Sequence, residues 1–323
     1  MAKLYFTIDT EYESGFTAKH GRDTRAENFE RSIAGRVGGG EAGIFYQMDM
    51  FDACGMKAVF FVDPAPALLW GTRAIADIVE PVVARGHEVQ LHMHTEWLAL
   101  AEQGRAPVPD AGPNMKDYGF EEQCRLLEWG KQVLVDAGAP APSVFRAGNY
   151  GANEDTLRAL AETGFTHDTS HAPAVADSAC EIGLGSSDRL PVERGGIIEV
   201  PVSCIGLDNG PLRHAQLTAL TVLELQHLLR CTYKSGGDDV TVVSHSFELL
   251  SRKRDRINRV LRRRFERFCR RVRADNDVQA VTYADHKPRP PAPDAIAPAI
   301  PANPVHTGLR MFEQAFANTI YDM

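Results

Sequence analysis

Short β-rich runs alternate with helical stretches along most of this chain, and that alternation limits its fold more than any other feature of its 323 residues. Strands are predicted at 3–9, 57–62, 88–92, 143–146, 165–168, 197–200, 240–245 and 278–283. Helix signals fall between them. Over 153–163, Asn153 offers an N-cap, Glu154 and Asp155 suit the first turn, Leu157 and Leu160 share a face, and Gly164 stops the helix. Phe120, Cys124, Leu127 and Leu134 form a second apolar stripe that ends before Gly138. Repeated βα units imply a parallel sheet, doubly wound or closed, and seven or eight units favour an α/β barrel. Barrels of roughly 250 residues fold as one domain, so 1–287 reads as the barrel. Residues 288–304 hold seven of the 19 prolines and read as an extended arm. After it, Leu309, Phe312, Phe316 and Ile320 recur at helical spacing. That short helix docks on its own barrel or on a partner subunit, which makes the arm a route to a homo-oligomer.

Two segments break the rhythm. Residues 10–40 end in Gly38-Gly39-Gly40 but lack the GxxxxGK[ST] pattern of a phosphate loop, so they read as a flexible active-site loop. Residues 93–118, with Pro107, Pro109 and Pro113, read as a second long functional loop.

Composition excludes several classes. With 44% hydrophobic and 24% charged residues the chain suits a large core rather than a disordered or fibrous state. Its six cysteines are scattered singly, against a disulfide framework or zinc ribbon. No apolar run approaches the ~18 residues of a transmembrane segment, and Leu4–Ile8 stops too soon at Asp9 for a signal core. A cytoplasmic location is the expectation. The net charge of −8 argues against nucleic acid as a partner. Residues 251–273 differ, with 12 Arg or Lys against Asp255 and Glu266. Ile257, Val260, Leu261, Phe265, Phe268 and Val272 share one helical face there, so the arginines read as a solvated outer face, with an anionic polymer or membrane surface as the alternative.

Polar residues collect where the strands end. Asp9 and Glu11 close the first strand, His92 and His94 the third, Arg146 the fourth, Asp168 the fifth and His245 the seventh. In a parallel barrel all these ends open on one face. His92 and His94, at i and i+2, point to the same side of an extended chain, as do Asp9 and Glu11. Two histidines and a carboxylate with an open position suit a divalent cation, zinc by ligand type. Asp63 is either an outer ligand or a helix cap, and His167 with His171 is a rival metal pair. A bound cation would polarise a carbonyl and acidify water. Asp9 then suits a base oriented by Arg146, and His245 an acid for the leaving group. Amide or ester hydrolysis is the natural chemistry. Trp97 either stacks on a sugar or packs in its loop, and Tyr150 lines the cleft or donates to an oxyanion.

These motifs resemble the polysaccharide deacetylase family, also called the NodB-homology or carbohydrate esterase 4 group. The likeness runs in order over roughly 3–285. It is carried by Thr7-Ile8-Asp9-Thr10-Glu11, Lys57–Val62, Gly86-His87-Glu88-Val89 with His92, Phe145–Gly151, Asp168-Thr169-Ser170 and Val243-Ser244-His245-Ser246. The resemblance implies a distorted (β/α) barrel of seven or eight strands and metal-dependent removal of acetyl groups from an N- or O-acetylated carbohydrate. It also implies His92 as a metal ligand, Asp9 as base or ligand, Arg146 as the orienting cation, His245 as the acid, and a catalytic place for Asp168. The chain departs from the family in two places. Thr10 follows Asp9 where the family has a second aspartate, and Glu96 stands where it has its second histidine, so the DxE and HxH pattern offers Glu11 and His94 instead. Other readings are a non-catalytic carbohydrate-binding barrel, a C–N hydrolase of non-sugar amides, and an assembly factor using the basic helix and the proline arm.

Overall fold

The computed structural model describes all residues except 176–177, 207–210, 236–238, 293–299, 304, 309, 312, 314–320 and 322–323. One curled sheet organises the molecule. Its strands are β1 (Ala2–Thr10), β2 (Val59–Val62), β3 (Glu88–Met93), β4 (Val144–Ala147), β5 (His167–Asp168), β6 (Val192–Arg194), β7 (Ile197–Glu199), β8 (Asp239–His245) and β9 (Val278–Ala280). The order is β8-β1-β2-β3-β4-β5-β7-β6, with β9 pairing the start of β1. Every pairing is parallel except β6 with β7. The expected distorted (β/α) barrel is therefore present as a curled, incompletely closed one. Between β7 and β8 the ladder is replaced by single bonds, Ser203 N to Thr241 O at 3.1 Å and Val243 N to Ala215 O at 2.9 Å.

Helices α1 (Ile44–Cys54), α2 (Thr72–Ala84), α3 (Phe120–Asp136), α4 (Glu154–Glu162), α5 (Val222–Lys234) and α6 (Arg259–Ala274) follow the strands. The α4 start is the expected one, with the Asn153 side chain accepting from Thr156 N. Each helix buries the apolar stripe seen in the sequence. Leu261, Phe265, Phe268 and Val272 of α6 enter the core, where Phe6 meets Phe265 edge-on at 5.8 Å. No helix among the described residues is long and apolar enough to cross a membrane. Leu309, Phe312, Phe316 and Ile320 lie outside the described residues.

The 10–40 insertion corrects the expectation of a flexible loop. It folds into helical turns at Ser14–His20, Arg25–Asn28 and Phe29–Ala34 and a ribbon of Arg36–Val37 with Gly40–Glu41. Buried Asn28 ties the piece together, accepting from Glu13 N and donating to Glu13 O (both 2.9 Å). Gly43 then lets the chain pass so close to Ile33 that a Cβ would lie 2.0 Å from its carbonyl oxygen. The 93–118 segment keeps its loop character but holds a turn at Thr95–Leu100. Trp97 on that turn is fully buried, edge-on to Trp70 at 5.3 Å. It cannot stack on a sugar; loop packing removed it from the surface.

Candidate metal centre

The strand register sets the site. Asp9 lies opposite His245 across β1 and β8, and His92 lies opposite Arg146 across β3 and β4. Side chains distant in sequence therefore meet at one mouth, as a parallel barrel requires.

Glu11, His92 and His94 converge so that one ligand atom from each lies within 4.8 Å of the others. Both imidazoles are held in one tautomer. His92 Nδ1 is 2.8 Å from the Arg146 carbonyl, which can only accept, so Nδ1 carries the hydrogen. His94 Nδ1 donates in the same way to Glu96 at 3.1 Å. Each Nε2 is thereby turned toward Glu11 Oε2, at 3.4 Å for His92 and 2.5 Å for His94. A histidine that ligates through one nitrogen while its other N–H is anchored has the outer support metal ligands show. Burial alone would raise Glu11, yet His94 and His92 hold it well below the ordinary carboxylate range. Burial likewise opposes a charge on His94, and Glu11, Glu96 and Asp63 together lift it well above the usual imidazole value.

Beside the triad, Asp9 accepts from Arg146 Nη1 at 2.5 Å, both groups buried. Burial pushes Asp9 up, but Arg146, His92 and His245 outweigh it and keep the carboxylate ionised. The guanidinium is fixed further by Nε donating to Thr169 O at 3.3 Å and by the Phe61 ring 4.4 Å away. Asp63 is fully buried, and its Oδ1 accepts from Ala65 N at 3.0 Å while Oδ2 has no partner. Burial lifts it to about 7. The structure thus gives Asp63 the turn-capping role and leaves a free oxygen near the triad.

His245 is gripped from behind. Its Nδ1 donates to Glu248 Oε2 at 3.0 Å, and Glu248 also accepts from Gln216 Nε2 at 2.9 Å and Thr218 N at 3.1 Å. Burial opposes protonation of His245, but the Glu248 bond and charge, with Asp9 and Glu11, raise it to about 9. At neutral pH it is a cation with a proton to give. Tyr150 is carried by the turn that follows β4. Asn149 and Tyr150 both take left-handed backbone angles, φ 54 and 56, just after Arg146. Gly148 precedes them because a Cβ there would meet Met93 O at 2.6 Å. The turn carries the Tyr150 hydroxyl to 3.2 Å from His214 Nε2. Burial, then the Arg146 charge, lowers His214 to about 4, so it is neutral.

Asp168 makes no hydrogen bond to Asp9, Glu11 or His245 among the described residues. Its side-chain partners are Ser170 Oγ, at 2.7 Å, and Glu199, none of them a predicted site residue. Burial, and for Glu199 the facing Asp168 as well, raises both acids. The carboxylate serving His245 is Glu248, three residues on, a spacing that a reading centred on strand ends passes over. His167 and His171, the rival pair, donate separately to Pro288 O (3.0 Å) and Gly185 O (3.1 Å). The cysteines are all free.

No protein-family model and no curated protein sequence matches the chain. Solved structures do. A polysaccharide deacetylase of Mycobacterium smegmatis aligns with a TM-score of 0.54 at 17% identity, over 88% of this chain and 87% of its own. The 4-α-glucanotransferase of Thermococcus litoralis aligns with a TM-score of 0.50 at 14% identity, over 89% of this chain and 41% of its own. One fold thus carries different activities, and the chemistry must be argued from the site. The protein shares its fold with the polysaccharide deacetylases.

Proposed function

We propose that this protein is a metal-dependent hydrolase of the polysaccharide deacetylase family, removing acetyl groups from an N- or O-acetylated carbohydrate. The observation that carries the reading is the pair of anchored imidazoles presenting both Nε2 atoms to Glu11, next to the ionised Asp9–Arg146 pair. Two imidazoles and one carboxylate with open positions fit zinc. When bound, such a cation supplies Lewis acidity toward an acyl oxygen and lowers the pKa of water. Asp9, kept ionised and aimed by Arg146, accepts the proton of the attacking water. His245 delivers its proton from Nε2 to the departing amine or alkoxide, and Glu248 stabilises the cation until then. Tyr150, on the turn after Arg146, lines the cleft beside the acyl group.

Acetate release from N-acetylglucosamine oligomers, measured together with the metal content of the purified protein, tests the proposal. Chelation is expected to abolish release and zinc to restore it. His94→Ala is expected to lose the metal and to lower the rate by about 10³-fold, the worth of several kcal/mol of electrostatic stabilisation. Full release from metal-free protein would overturn the reading. The burial of Trp97 favours one second reading, because it removes the expected sugar platform. On that reading the site hydrolyses a small non-sugar amide, and acetate released from acetylated amines but from no acetylated saccharide identifies it.

A further inference from the structure

The arginines of α6 form a row that the fold does not use. Arg259, Arg263, Arg267 and Arg271 follow one another at four-residue spacing, one per turn, about 6 Å apart along the axis. All four are exposed, and none makes an ion pair or hydrogen bond among the described residues. The other arginines of the helix are engaged: Arg262 and Arg270 with Glu266, Arg264 with Glu313 and the Leu217 carbonyl, Arg273 with the Ala53 carbonyl. Like charges at i,i+4 repel, and the first turn of α6, which carries Arg259 and no acid, faces the positive end of the helix dipole. The row therefore weakens the helix that carries it. The docking of α6 comes from its apolar face and from Arg264, Glu266 and Arg273, not from this row.

The row lines a groove of about 1610 Å³ whose far wall is the start of α5, including Leu223 and Gln226. Leu223 is 41% exposed, an apolar surface beside the Gln226 amide, which has no hydrogen-bond partner among the described residues. We infer that this groove binds a linear polymer bearing carboxylates, an acidic polysaccharide, laid along α6 with one carboxylate per arginine. The structure contains an example of the pairing, since the Glu313 carboxylate sits on Arg264 at 2.7 Å within the same groove. Leu223 suits the C–H face of a sugar ring and Gln226 its hydroxyls. Single-stranded nucleic acid needs a series of stacking rings. Tyr321 is the one aromatic residue among the described lining residues, and Arg256 already covers it. A bilayer is flat and the groove is walled. The rest of the protein, acidic overall, repels a polyanion and confines it to this strip.

The inference is independent of the hydrolase reading, because its test reads binding without turnover. Heptagalacturonic acid, maltoheptaose, a single-stranded oligonucleotide and phosphatidylserine vesicles are titrated against the full chain. The uronate oligomer is expected to bind, with affinity falling about tenfold to a hundredfold between 50 and 200 mM salt, and maltoheptaose is expected not to bind. Arg263→Glu with Arg267→Glu is expected to weaken uronate binding at least about 100-fold. Arg263→Lys with Arg267→Lys is expected to keep most of it, and circular dichroism of both variants checks that α6 persists. Absence of uronate binding, binding unchanged in the glutamate variant, or tighter binding of the oligonucleotide or the vesicles overturns the assignment.

Discussion

Two pairs of acidic residues sit at the strand ends of this barrel, and they have opposite characters. Asp9 on β1 and Glu11 just beyond its end meet Arg146, His92, His94 and His245; both remain ionised although burial opposes it. Asp168 and Glu199 face each other directly across β5 and β7 and meet mainly a hydroxyl and the backbone N–H of His171; both are raised. Asp9, Asp168 and Glu199 are buried and Glu11 is partly so, and burial pushes all four carboxyls up. The neighbouring cations decide whether a carboxylate keeps its charge, and so whether it can serve as base or ligand. For Asp168 and Glu199, burial and their mutual repulsion outweigh the Arg146 charge, and the pair is pushed toward the protonated form.

This contrast can be broken by experiment. The largest effect is expected from Arg146→Ala, which strands the buried Asp9 charge and should cost about 3–5 kcal/mol of unfolding free energy in urea. A loss under 1 kcal/mol would mean that Asp9 does not depend on its cation. Glu96→Gln tests the anchoring of His94 and should weaken zinc affinity about 10- to 100-fold by competition with a chelator. Unchanged affinity would remove Glu96 from the ligand set's support.

Glu248→Gln sharpens the reading of His245. The wild-type rate should hold as pH rises, because the acid stays protonated, and then fall through about 9. The variant should lose this limb at lower pH, moving toward the ordinary imidazole value, with roughly a tenfold slower rate at pH 8. Coincident profiles would show that Glu248 does not tune the proton donor.

The smallest effect on catalysis is expected from Glu199→Gln, which should leave metal content and acetate release near wild type. Its effect appears in stability. Glu199 has a folded-state pKa above its unfolded one, so the native state holds the proton longer. Its stabilisation is complete below about pH 4.5 and is lost as pH rises toward the folded value, at about 1.4 kcal/mol per pH unit. The variant should lack that decline in urea denaturation between pH 5 and 8. If acetate release collapses instead, the second pair belongs to the catalytic machinery.

The barrel was legible because each strand is a short β-rich run between helix signals, and all eight predicted strands are present. The pairing of His92 with His94 in the candidate metal cluster was legible because i, i+2 spacing on an extended chain is local geometry. What escaped depends on tertiary packing. Trp97 carries the composition of a sugar platform, yet its ring is covered by Trp70 from a segment nearly thirty residues earlier. Asp168 stands after a strand like Asp9, and only the position of Glu199 on β7 shows that it faces another acid. Glu248 lies in the turn beyond β8, where no strand or helix period marks it. The helical fold of 10–40 rests on Asn28, a polar residue whose role is visible only once its partners are known.

The parallel seam between β1 and β8 has a consequence for how the protein is made. Leu4 to Asp9 align with Val240 to His245, so β1 waits for a partner strand more than 200 residues later in the chain. The strands that lead to Glu11 and to His92 and His94, β1 and β3, have only β2 between them and emerge early, whereas His245 follows about 150 residues later. Such long-range closure is slow. A nascent chain can therefore bring Glu11, His92 and His94 together well before His245 joins them.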